Sequence, residues 1–533
     1  MQTAGDRGPG LDRRRLLLAL GFGAANVGVL RHLATPPTAS SSVTTGAAPE
    51  PVTTTTTGAP PPTPVLDPAA AVEDPGHVFD VVITGGRVID PESGHDAVAA
   101  VGIDGDTITA IVADPLTPLQ GRTVVDATGL VVAPGFIDIL SYSPNGYGEW
   151  YKLADGVTTN LGMHGLDARA DEWWAQHPPG TVPVNYGGAY DNATVRARLG
   201  YDPYDTADAD GIARIVAAAD EDLRGGFIGL HMQPEYTPGA DNAELIAHAE
   251  LAARHDVPLC VHARYSDNLP PGTNLEAIDE LVDAARRTGA RVHVEHINST
   301  GGTGVMEEAL ARLEAGRAEG LGLTACVYPY TFWATYLRSA RYDDWQNKYG
   351  ISYGDLQVAG TDERLTAETY RQAYEANKLT AAFAIPEADI ETALRADFVM
   401  IGSDAILERS HNNHPRSTGC FSRVLGEYVR ERGVLDLVSA LAKMTILPAR
   451  LLETRAPALR RRGRLAVGAV ADITVFDPAT IRDRSTIADP AQRSEGIHRV
   501  LVGGRTVVAG TDTDEGVLVG VPVRSDIGGD TGA

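Results

Sequence analysis

The middle of the chain alternates short apolar runs with segments whose apolar residues recur at the helical period, and this alternation constrains the fold most. Segments such as AELIAHAELAARH and LEAIDELVDAARRTG carry the helical pattern. Strands that alternate with helices form parallel sheets, and eight such units close into a barrel. The sequence therefore predicts an α/β fold, a (β/α)8 TIM-type barrel over residues 134–450. The predicted strands lie at 135–139, 157–161, 182–186, 227–231, 258–262, 291–296, 322–328 and 398–404.

Both ends of the folded region are rich in β-forming residues separated by short turns. FDVVITGGRVID and all but the last residue of TVVDATGLVVAP fall within residues 78–133, and GRLAVGAVADITVFDP and HRVLVGGRTVVAG fall within residues 451–523. We expect these two segments to form one small β-sandwich domain, followed by a tail at 524–533. The seventh and eighth predicted strands are far apart, so we expect an insertion at about 330–397 that acts as a lid or a side element.

Residues 1–33 have the pattern of an export signal. Arg13, Arg14 and Arg15 precede leucines and a run of small and apolar residues that is short for a membrane span. Paired arginines before leucines resemble a twin-arginine signal, which exports folded proteins. We expect an exported protein of the cell envelope or the extracellular space, whose signal is cleaved or stays as an anchor. A basic amphipathic helix is the alternative.

Composition sets further limits on structure and partners. Residues 34–77 are rich in Pro, Thr and Ala and predict a disordered linker. The formal net charge of -25 argues against a nucleic-acid partner, because phosphate binding needs a basic face. The three cysteines are too few for a disulfide framework and are expected to be buried thiols.

Histidines stand at the ends of several predicted strands, where barrels of this kind carry their active sites. His262 ends the fifth strand, His296 ends the sixth, His164 follows the second, and Asp404 ends the eighth. Three imidazoles and one carboxylate can hold one divalent ion and leave a position for water, and zinc favours nitrogen ligands. The pattern predicts a zinc site; a packed, structural histidine is the alternative at each position taken singly. His231, which ends the fourth strand, is expected to line the pocket.

Several motifs are shared with a known family: PGFID, GVTT, HAR, VYPYT, IGSD, HPRSTGCFSRVLGEYVRE, KMTILPARLL and GAVADITVFDP. They resemble the amidohydrolase superfamily and, within it, the D-aminoacylase family of N-acyl-D-amino-acid deacylases. PGFID and GAVADITVFDP are superfamily signals, whereas YPYT, IGSD and HPRSTGCFSRVLG are narrower. The resemblance runs from about residue 79 to residue 510. It implies a barrel that hydrolyses a linear amide by attack of metal-bound hydroxide, with a small-molecule amide as substrate.

The resemblance also implies roles for matching residues. His262 and His296 match two histidines that hold a tightly bound zinc in this family, and His164 in GMHG stands where the family has the cysteine of GNCG. The family's H-x-H pair on strand one, which holds a second and weaker metal, is replaced by Leu140 and Tyr142. We therefore expect one zinc ion rather than two.

Asp404 matches the aspartate on strand eight of the family. The resemblance implies that it takes a proton from the attacking water and returns it to the departing amine. The alternative is that Asp404 only hydrogen-bonds a ligand histidine and takes no part in proton transfer.

The substrate pocket departs from the family at one cation. The family commonly has a lysine two residues after the histidine of strand six, and this chain has Asn298 there. Losing a cation weakens charge-assisted binding of a carboxylate. Arg264 and Arg338 are candidate replacements, and a surface or salt-bridge role is the alternative for both. Arg416 and Tyr330 keep the HPR and YPYT motifs, and Tyr142 is a possible hydrogen-bonding group near the nucleophile. The predicted substrate-binding residues are Tyr330, Arg416, Arg264, His231 and Tyr142.

Three hypotheses for function remain open from the sequence. The first is an exported zinc hydrolase that deacylates N-acyl-D-amino acids or a related acylated compound. The second keeps the metal but acts on a cyclic amide, a dipeptide or a specialised natural product, and the loss of the H-x-H pair and of the lysine at position 298 favours it. The third is a catalytically silent binding protein on the same scaffold.

Overall fold

The computed structural model describes residues 76–113 and 118–529. The export signal predicted at 1–33 and nearly all of the linker predicted at 34–77 lie outside the described residues, so both remain predictions. Among the residues described, no helix is both long enough and apolar enough to cross a membrane.

The described chain opens with five strands of a small β domain. β2 pairs antiparallel with β1, and β4 and β5 run parallel to β1. Valine, isoleucine and threonine dominate these segments, because their branched side chains favour extended backbone and pack well on a pleated surface. The strands are β1 (Val78–Asp90), β2 (His95–Asp104), β3 (Thr107–Val112), β4 (Gln120–Asp126) and β5 (Val131–Pro134).

Eight parallel strands form a nearly closed barrel, as the sequence predicted, and a three-stranded insertion separates the last two. The barrel strands are β6 (Phe136–Asp138), β7 (Val157–Leu166), β8 (Asn185–Asp191), β9 (Leu230–Met232), β10 (Pro258–Val261), β11 (Arg291–Val294) and β12 (Leu323–Val327), with β16 (Val399–Ile401) after the insertion. The insertion holds β13 (Trp333–Tyr336), β14 (Leu356–Val358) and β15 (Leu379–Ala382). In the barrel sheet each strand pairs with the next in chain order, β16 following β12.

Each predicted barrel strand overlaps an observed one, but the third was placed too early. β8 begins at residue 185 rather than 182 and continues through two glycines to Asp191. Gly188 is needed there because a Cβ atom would lie 2.6 Å from the main-chain oxygen of Gly162 on β7. The shift matters because it brings the carboxylate of Asp191 to the end of the barrel that carries the predicted site.

A buried polar network links the last barrel strand to the first. Lys152 Nζ lies 2.6 Å from Asp138 Oδ2 and 2.7 Å from Ser403 Oγ, and the main-chain nitrogen of Ser403 donates to Asp138 Oδ1 at 3.0 Å. The main-chain nitrogen of Asp404 donates to the carbonyl of Leu140 at 2.7 Å. These bonds join β6 to the segment after β16 and fix the start of the loop that carries Asp404.

Helices cover the outside of the barrel. α6 shows how the sequence sets one of them: Thr273 and Glu276 form a capping box at its start, and Ala277, Ile278 and Leu281 form part of its buried face. The helices are α1 (Gly148–Ala154), α2 (Ala170–Gln176), α3 (Asn192–Arg198), α4 (Ala209–Arg224), α5 (Asn242–His255), α6 (Asn274–Thr288), α7 (Met306–Ala318), α8 (Trp345–Tyr349), α9 (Ala367–Glu375), α10 (Glu387–Arg395), α11 (Cys420–Arg423), α12 (Leu437–Met444) and α13 (Ile446–Leu452).

The C-terminal strands complete the β domain, which is therefore built from both ends of the described chain, as predicted. β17 pairs antiparallel with β5 and joins the two parts into one nine-stranded sheet. The segment after these strands returns to the barrel, where the main-chain nitrogen of Val523 donates to the carbonyl of Tyr186 at 2.7 Å. The strands are β17 (Ile473–Phe476), β18 (Ile497–Val502), β19 (Arg505–Ala509) and β20 (Asp512–Thr513).

Glu149 on α1 gives the fold a pH dependence that can be tested. The side chain is buried, and burial raises its pKa to about 8. Between its ordinary pKa and about 8 the folded protein holds a proton that the unfolded chain has lost, so the free energy of unfolding falls as pH rises. At 1.36 kcal/mol per pKa unit, the loss between pH 5 and pH 8 is roughly 4 kcal/mol.

The side chain in Glu149→Gln cannot titrate, so this variant does not show the fall in the free energy of unfolding. We expect its melting temperature, relative to wild type, to rise between pH 5 and pH 8 in parallel thermal unfolding scans. The exposed Glu368→Gln, on α9, serves as the control. A constant difference between Glu149→Gln and wild type over this range would contradict the prediction.

Candidate metal centre

A cavity of about 530 Å³ opens at the C-terminal ends of the barrel strands. Its walls come from the loops after the strands and from β13 of the insertion. Residues that line it include Tyr142, His164, Asp191, Tyr236, His262, His296, Trp333, Arg341, Asp404, His414 and Arg416. The position agrees with the general rule that barrels of this kind place function at this end.

The three predicted histidine ligands meet in this cavity. His164 lies within β7, His262 follows β10 directly, and His296 lies two residues after β11. One ring nitrogen from each lies within 4.8 Å of the other two, and all three side chains are buried. His262 Nδ1 and His296 Nε2 face each other at 3.0 Å. The sequence prediction that strand ends bring these imidazoles together is thus met by the geometry.

Buried carboxylates hold the far side of two of these rings. His262 Nε2 donates to Glu235 Oε2 at 2.6 Å, and His164 Nδ1 donates to Glu295 Oε2 at 2.6 Å. A histidine that donates one ring proton to a carboxylate presents a lone pair on its other nitrogen, the usual state of a metal ligand. His262 Nδ1 and His164 Nε2 are therefore the nitrogens available for a metal.

The carboxylate of Glu235 is itself fixed by a cation from the insertion. Arg341 Nη1 donates to Glu235 Oε2 at 2.8 Å, and its Nη2 donates to the carbonyl of Ser299 at 2.6 Å. Burial raises the pKa of Glu235, but the charge of Arg341 and the hydrogen bond from His262 lower it to about 2. Glu235 is thus a permanent anion behind His262.

The donor set fits a zinc ion. Burial lowers the pKa values of His262 and His296, so both rings are neutral and able to donate lone pairs. Three converging imidazoles with carboxylates behind two of them are the arrangement that zinc takes in proteins when a fourth position stays open. The residues of this chain can therefore hold the predicted ion.

Asp404 lies next to the histidine cluster in a left-handed backbone conformation, with φ of 53°. Arg416 Nη2 donates to its Oδ2 at 2.5 Å, and Tyr142 OH donates to its Oδ1 at 3.3 Å. Burial raises the pKa of Asp404, but the neighbouring His296 imidazole and the Arg416 guanidinium outweigh it and hold the pKa well below its usual range. Asp404 is a fixed carboxylate anion at the cavity wall.

The two positions of the missing H-x-H pair have different surroundings. Leu140 packs in the apolar interior of the barrel together with Ile139 and Met163. Tyr142 lines the cavity, and burial together with the charge of Asp404 raises its pKa well above the usual value, so it stays a hydrogen-bond donor. Leu140 is apolar filling, and Tyr142 is a polar group beside the predicted base.

Three predicted substrate-binding residues need correction. Arg264 lies outside the cavity because Glu280, on the adjacent helix α6, binds its guanidinium at 2.9 to 3.1 Å. Tyr330 is buried away from the cavity, and its hydroxyl donates to the carbonyl of Thr418. His231 is fully buried beneath the cavity floor, where its Nδ1 donates to Asp191 at 3.1 Å. Arg416, by contrast, lines the cavity and lies over the ring of Tyr328.

Sequence reasoning missed three important residues. Glu235 lies three residues after β9 and Glu295 directly after β11, so carboxylates at strand ends were a signal that could have found them. Arg341 had no such signal, because it comes from an aromatic-rich segment of the insertion and reaches the cavity only through folding. A search confined to histidines and aspartates could not identify the groups that orient the ligands.

Comparisons with known proteins agree with this geometry. The amidohydrolase family profile matches residues 141–508. An N-acyl-D-glutamate deacylase of Alcaligenes xylosoxydans xylosoxydans is 33% identical over 481 residues, 80% of this chain and 93% of the relative. A D-aminoacylase of the same organism is 30% identical over 477 residues, 80% of this chain and 94% of the relative.

A solved structure is similar over almost the same length. It is an N-acyl-D-glutamate deacylase from Bordetella bronchiseptica, crystallised with zinc and a phosphonate that mimics the tetrahedral intermediate of the reaction. The superposition has a TM-score of 0.72 at 26% identity and covers 84% of this chain and 100% of the other. The likeness therefore extends over both the barrel and the β domain.

The pair between Arg341 and Glu235 predicts a strong coupling between the insertion and the barrel. Arg341→Met leaves a buried carboxylate without its cation, and breaking such a pair from one side costs about 3 to 5 kcal/mol. We expect a clear loss of stability in urea unfolding followed by fluorescence.

A second substitution separates the contribution of the Arg341–Glu235 ion pair from the other effects of Arg341→Met on stability. Adding Glu235→Gln to Arg341→Met removes the unpaired charge and should recover part of the loss. Arg338→Met, in the same insertion but bound to the carbonyls of Tyr374 and Glu375, is the matched control and should change stability little. Equal losses in the Arg341 and Arg338 variants would contradict the coupling.

Proposed function

Because the chain belongs to the D-aminoacylase branch of the amidohydrolase family, whose members hydrolyse carbon–nitrogen bonds other than peptide bonds, we propose that it deacylates N-acyl-D-amino acids. The observation that carries the proposal is the convergence of three buried imidazoles and one fixed carboxylate, Asp404, in a single cavity. This arrangement suits hydrolysis of an amide, which needs an activated water and a group that accepts and returns its proton.

The proposed metal site consists of His164, His262 and His296. A zinc ion bound there would supply Lewis acidity, which lowers the pKa of water and polarises an amide carbonyl. Glu295 and Glu235 orient two of the ligand rings, as carboxylates behind metal-binding histidines commonly do. The proposed hydrolysis uses only the metal ion bound at this one site.

Asp404 acts as the proton acceptor in the proposed mechanism. Arg416 fixes one of its oxygens and Tyr142 the other, so the carboxylate presents a defined geometry to a water molecule in the cavity. It accepts a proton from that water during attack on the amide carbonyl and returns a proton to the nitrogen of the departing amino acid. Tyr142 remains a donor throughout because its pKa is well above the usual value.

The α-carboxylate of the substrate is assigned to the cationic side of the cavity. Arg416 and Arg341 both line it, and Nε of Arg341 has no hydrogen-bond partner among the described residues. Arg341 also donates hydrogen bonds to Ser299. Ser299 follows Asn298, and position 298 is where the family commonly carries a lysine. Arg341 therefore takes over the role of the missing cation. The cavity, at about 530 Å³, is within the range of small-molecule sites.

Export remains part of the proposal. The arginine pair at residues 13 and 14 precedes an apolar segment, the pattern that supports export of the folded protein by the twin-arginine route. We accordingly propose that the substrate is an acylated amino acid met outside the cytoplasm.

Activity on a substrate panel tests the reaction. We expect the purified protein to release free amino acids from N-acetyl-D-amino acids faster than from their L enantiomers, measured by amine detection and chiral chromatography. Asp404→Asn should lower kcat/KM by about 10²- to 10⁴-fold, because a residue that transfers a proton in the transition state contributes that much. Asp397→Asn, an exposed aspartate just before β16, is the control and should keep wild-type activity.

The panel can also disprove the proposal. If zinc is bound and no N-acyl-amino acid of either configuration is hydrolysed, the deacylase function fails. Cyclic amides and dipeptides are then the compounds to assay, since they are the open alternative from the sequence.

Metal removal tests the proposed ligands directly. Treatment with 1,10-phenanthroline should abolish hydrolysis, and Zn²⁺ should restore it. His262→Ala and His296→Ala should each lower the zinc content measured by inductively coupled plasma mass spectrometry. His255→Ala, which removes a histidine paired with Asp220 outside the cavity, should not change it. Unchanged zinc content in both ligand variants would overturn the assignment.

A further inference from the structure

A second cluster of metal-binding groups lies beneath the cavity floor. His231 on β9 and Glu295 after β11 are both fully buried, and His164 on β7 stands between them and the cavity. One donor atom from each of the three lies within 4.8 Å of the others. We propose that His231, Glu295 and Nδ1 of His164 form a second site for a divalent transition metal such as Zn²⁺, which shares only the His164 ring with the site that the proposed reaction uses.

Two unsatisfied atoms in this cluster point to a missing partner. Among the described residues, His231 Nε2 and Glu295 Oε1 have no hydrogen-bond partner. A buried polar atom without a partner costs free energy, and native proteins contain few of them. Here two occur on neighbouring side chains of one buried cluster.

The spacing of the donors fits shared coordination. His231 Nε2 lies 3.3 Å from Glu295 Oε2. Two ligand atoms of one tetrahedral zinc, at its usual bond lengths to nitrogen and oxygen, lie roughly 3.3 Å apart. Two imidazoles and one carboxylate are also a donor set that zinc uses, with a further position open.

The surroundings of His231 are those of a metal ligand. Its Nδ1 donates to Asp191 Oδ1 at 3.1 Å, and Asp191 is held in turn by the main-chain nitrogen and hydroxyl of Thr194. A carboxylate behind the ring fixes the orientation of the ring, so that Nε2 faces Glu295. The same relation holds between Glu235 and His262 at the first site.

His164 connects the two sites. Its Nδ1 lies 2.6 Å from Glu295 Oε2, while the ring borders the cavity and leaves Nε2 for the first site. An ion in the second site would take the place of the proton on Nδ1, which would leave to solvent, and His164 as an imidazolate would then be shared by the two sites. The rival occupant of the cluster is a proton on His231 Nε2, which the carboxylates of Glu295 and Asp191 also attract.

The second site differs in place from the pair that the family uses on strand one. Positions 140 and 142, next to β6, hold Leu140 and Tyr142, and neither binds zinc in the usual way. The cluster of His231 and Glu295 lies on β9 and after β11, reached from the cavity past His164. The donor set proposed for a second ion in this chain therefore lies on β9 and after β11, and not next to β6.

Zinc stoichiometry tests the site without any substrate, so its outcome is independent of whether the deacylase function holds. The full chain is stripped with a chelator, reloaded with Zn²⁺ alone, desalted and analysed for zinc per chain by mass spectrometry. We expect two equivalents in wild type, and one in His231→Asn and in Glu295→Gln, which keep size while removing a ligand. His248→Asn, an equally buried histidine on α5, is the matched control and should keep two.

The outcomes are decisive in either direction. One equivalent of zinc in wild type would overturn the second site and would indicate that a proton on His231 Nε2 occupies the cluster instead. Two equivalents in a folded His231→Asn or Glu295→Gln variant overturn the choice of ligands. If one variant fails to fold, the wild-type count and the other variant still decide. Reloading His262→Ala gives the converse check, since loss at the first site should leave the second equivalent bound.

Discussion

Pairing between buried carboxylates and imidazoles is the constraint on which the centre of this protein depends. Glu235 and Glu295 lie where water cannot solvate them, and an anion in such a place must be met by hydrogen bonds or cations. Each carboxylate therefore holds a histidine ring in one orientation, and that orientation aims the opposite ring nitrogen at a common point. The geometry of the proposed metal site is a consequence of charge burial.

The same constraint extends into the parts of the chain that surround the barrel. Glu235 needs Arg341, so the insertion between β12 and β16 takes part in the site although it lies outside the barrel sheet. Asp138 needs Lys152 and Ser403, and this network fixes the backbone from which Asp404 projects. Ligand orientation and base orientation thus depend on two separate buried ion pairs.

The sequence predicted the features that depend on a local pattern of residues, namely the barrel strands and the histidines that follow them. Barrel strands are buried on both faces, so their apolar runs are visible, and His262 and His296 follow such runs closely enough to be found. Arg264 was misplaced because its partner, Glu280, lies one helix away and no local pattern shows which charges will meet. Arg341 was missed for the same reason, and β8 was placed early because its glycines interrupt the apolar run that marks a strand.

The return of the chain to the barrel has a consequence for how the protein is made. Val523 pairs with Tyr186 on the third barrel strand, and β17 joins the sheet that begins at residue 78. A ribosome must therefore synthesise residue 523 before the early part of the barrel can complete its packing. The last pairings of the barrel and of the β domain therefore form only after nearly all of the described chain has been synthesised.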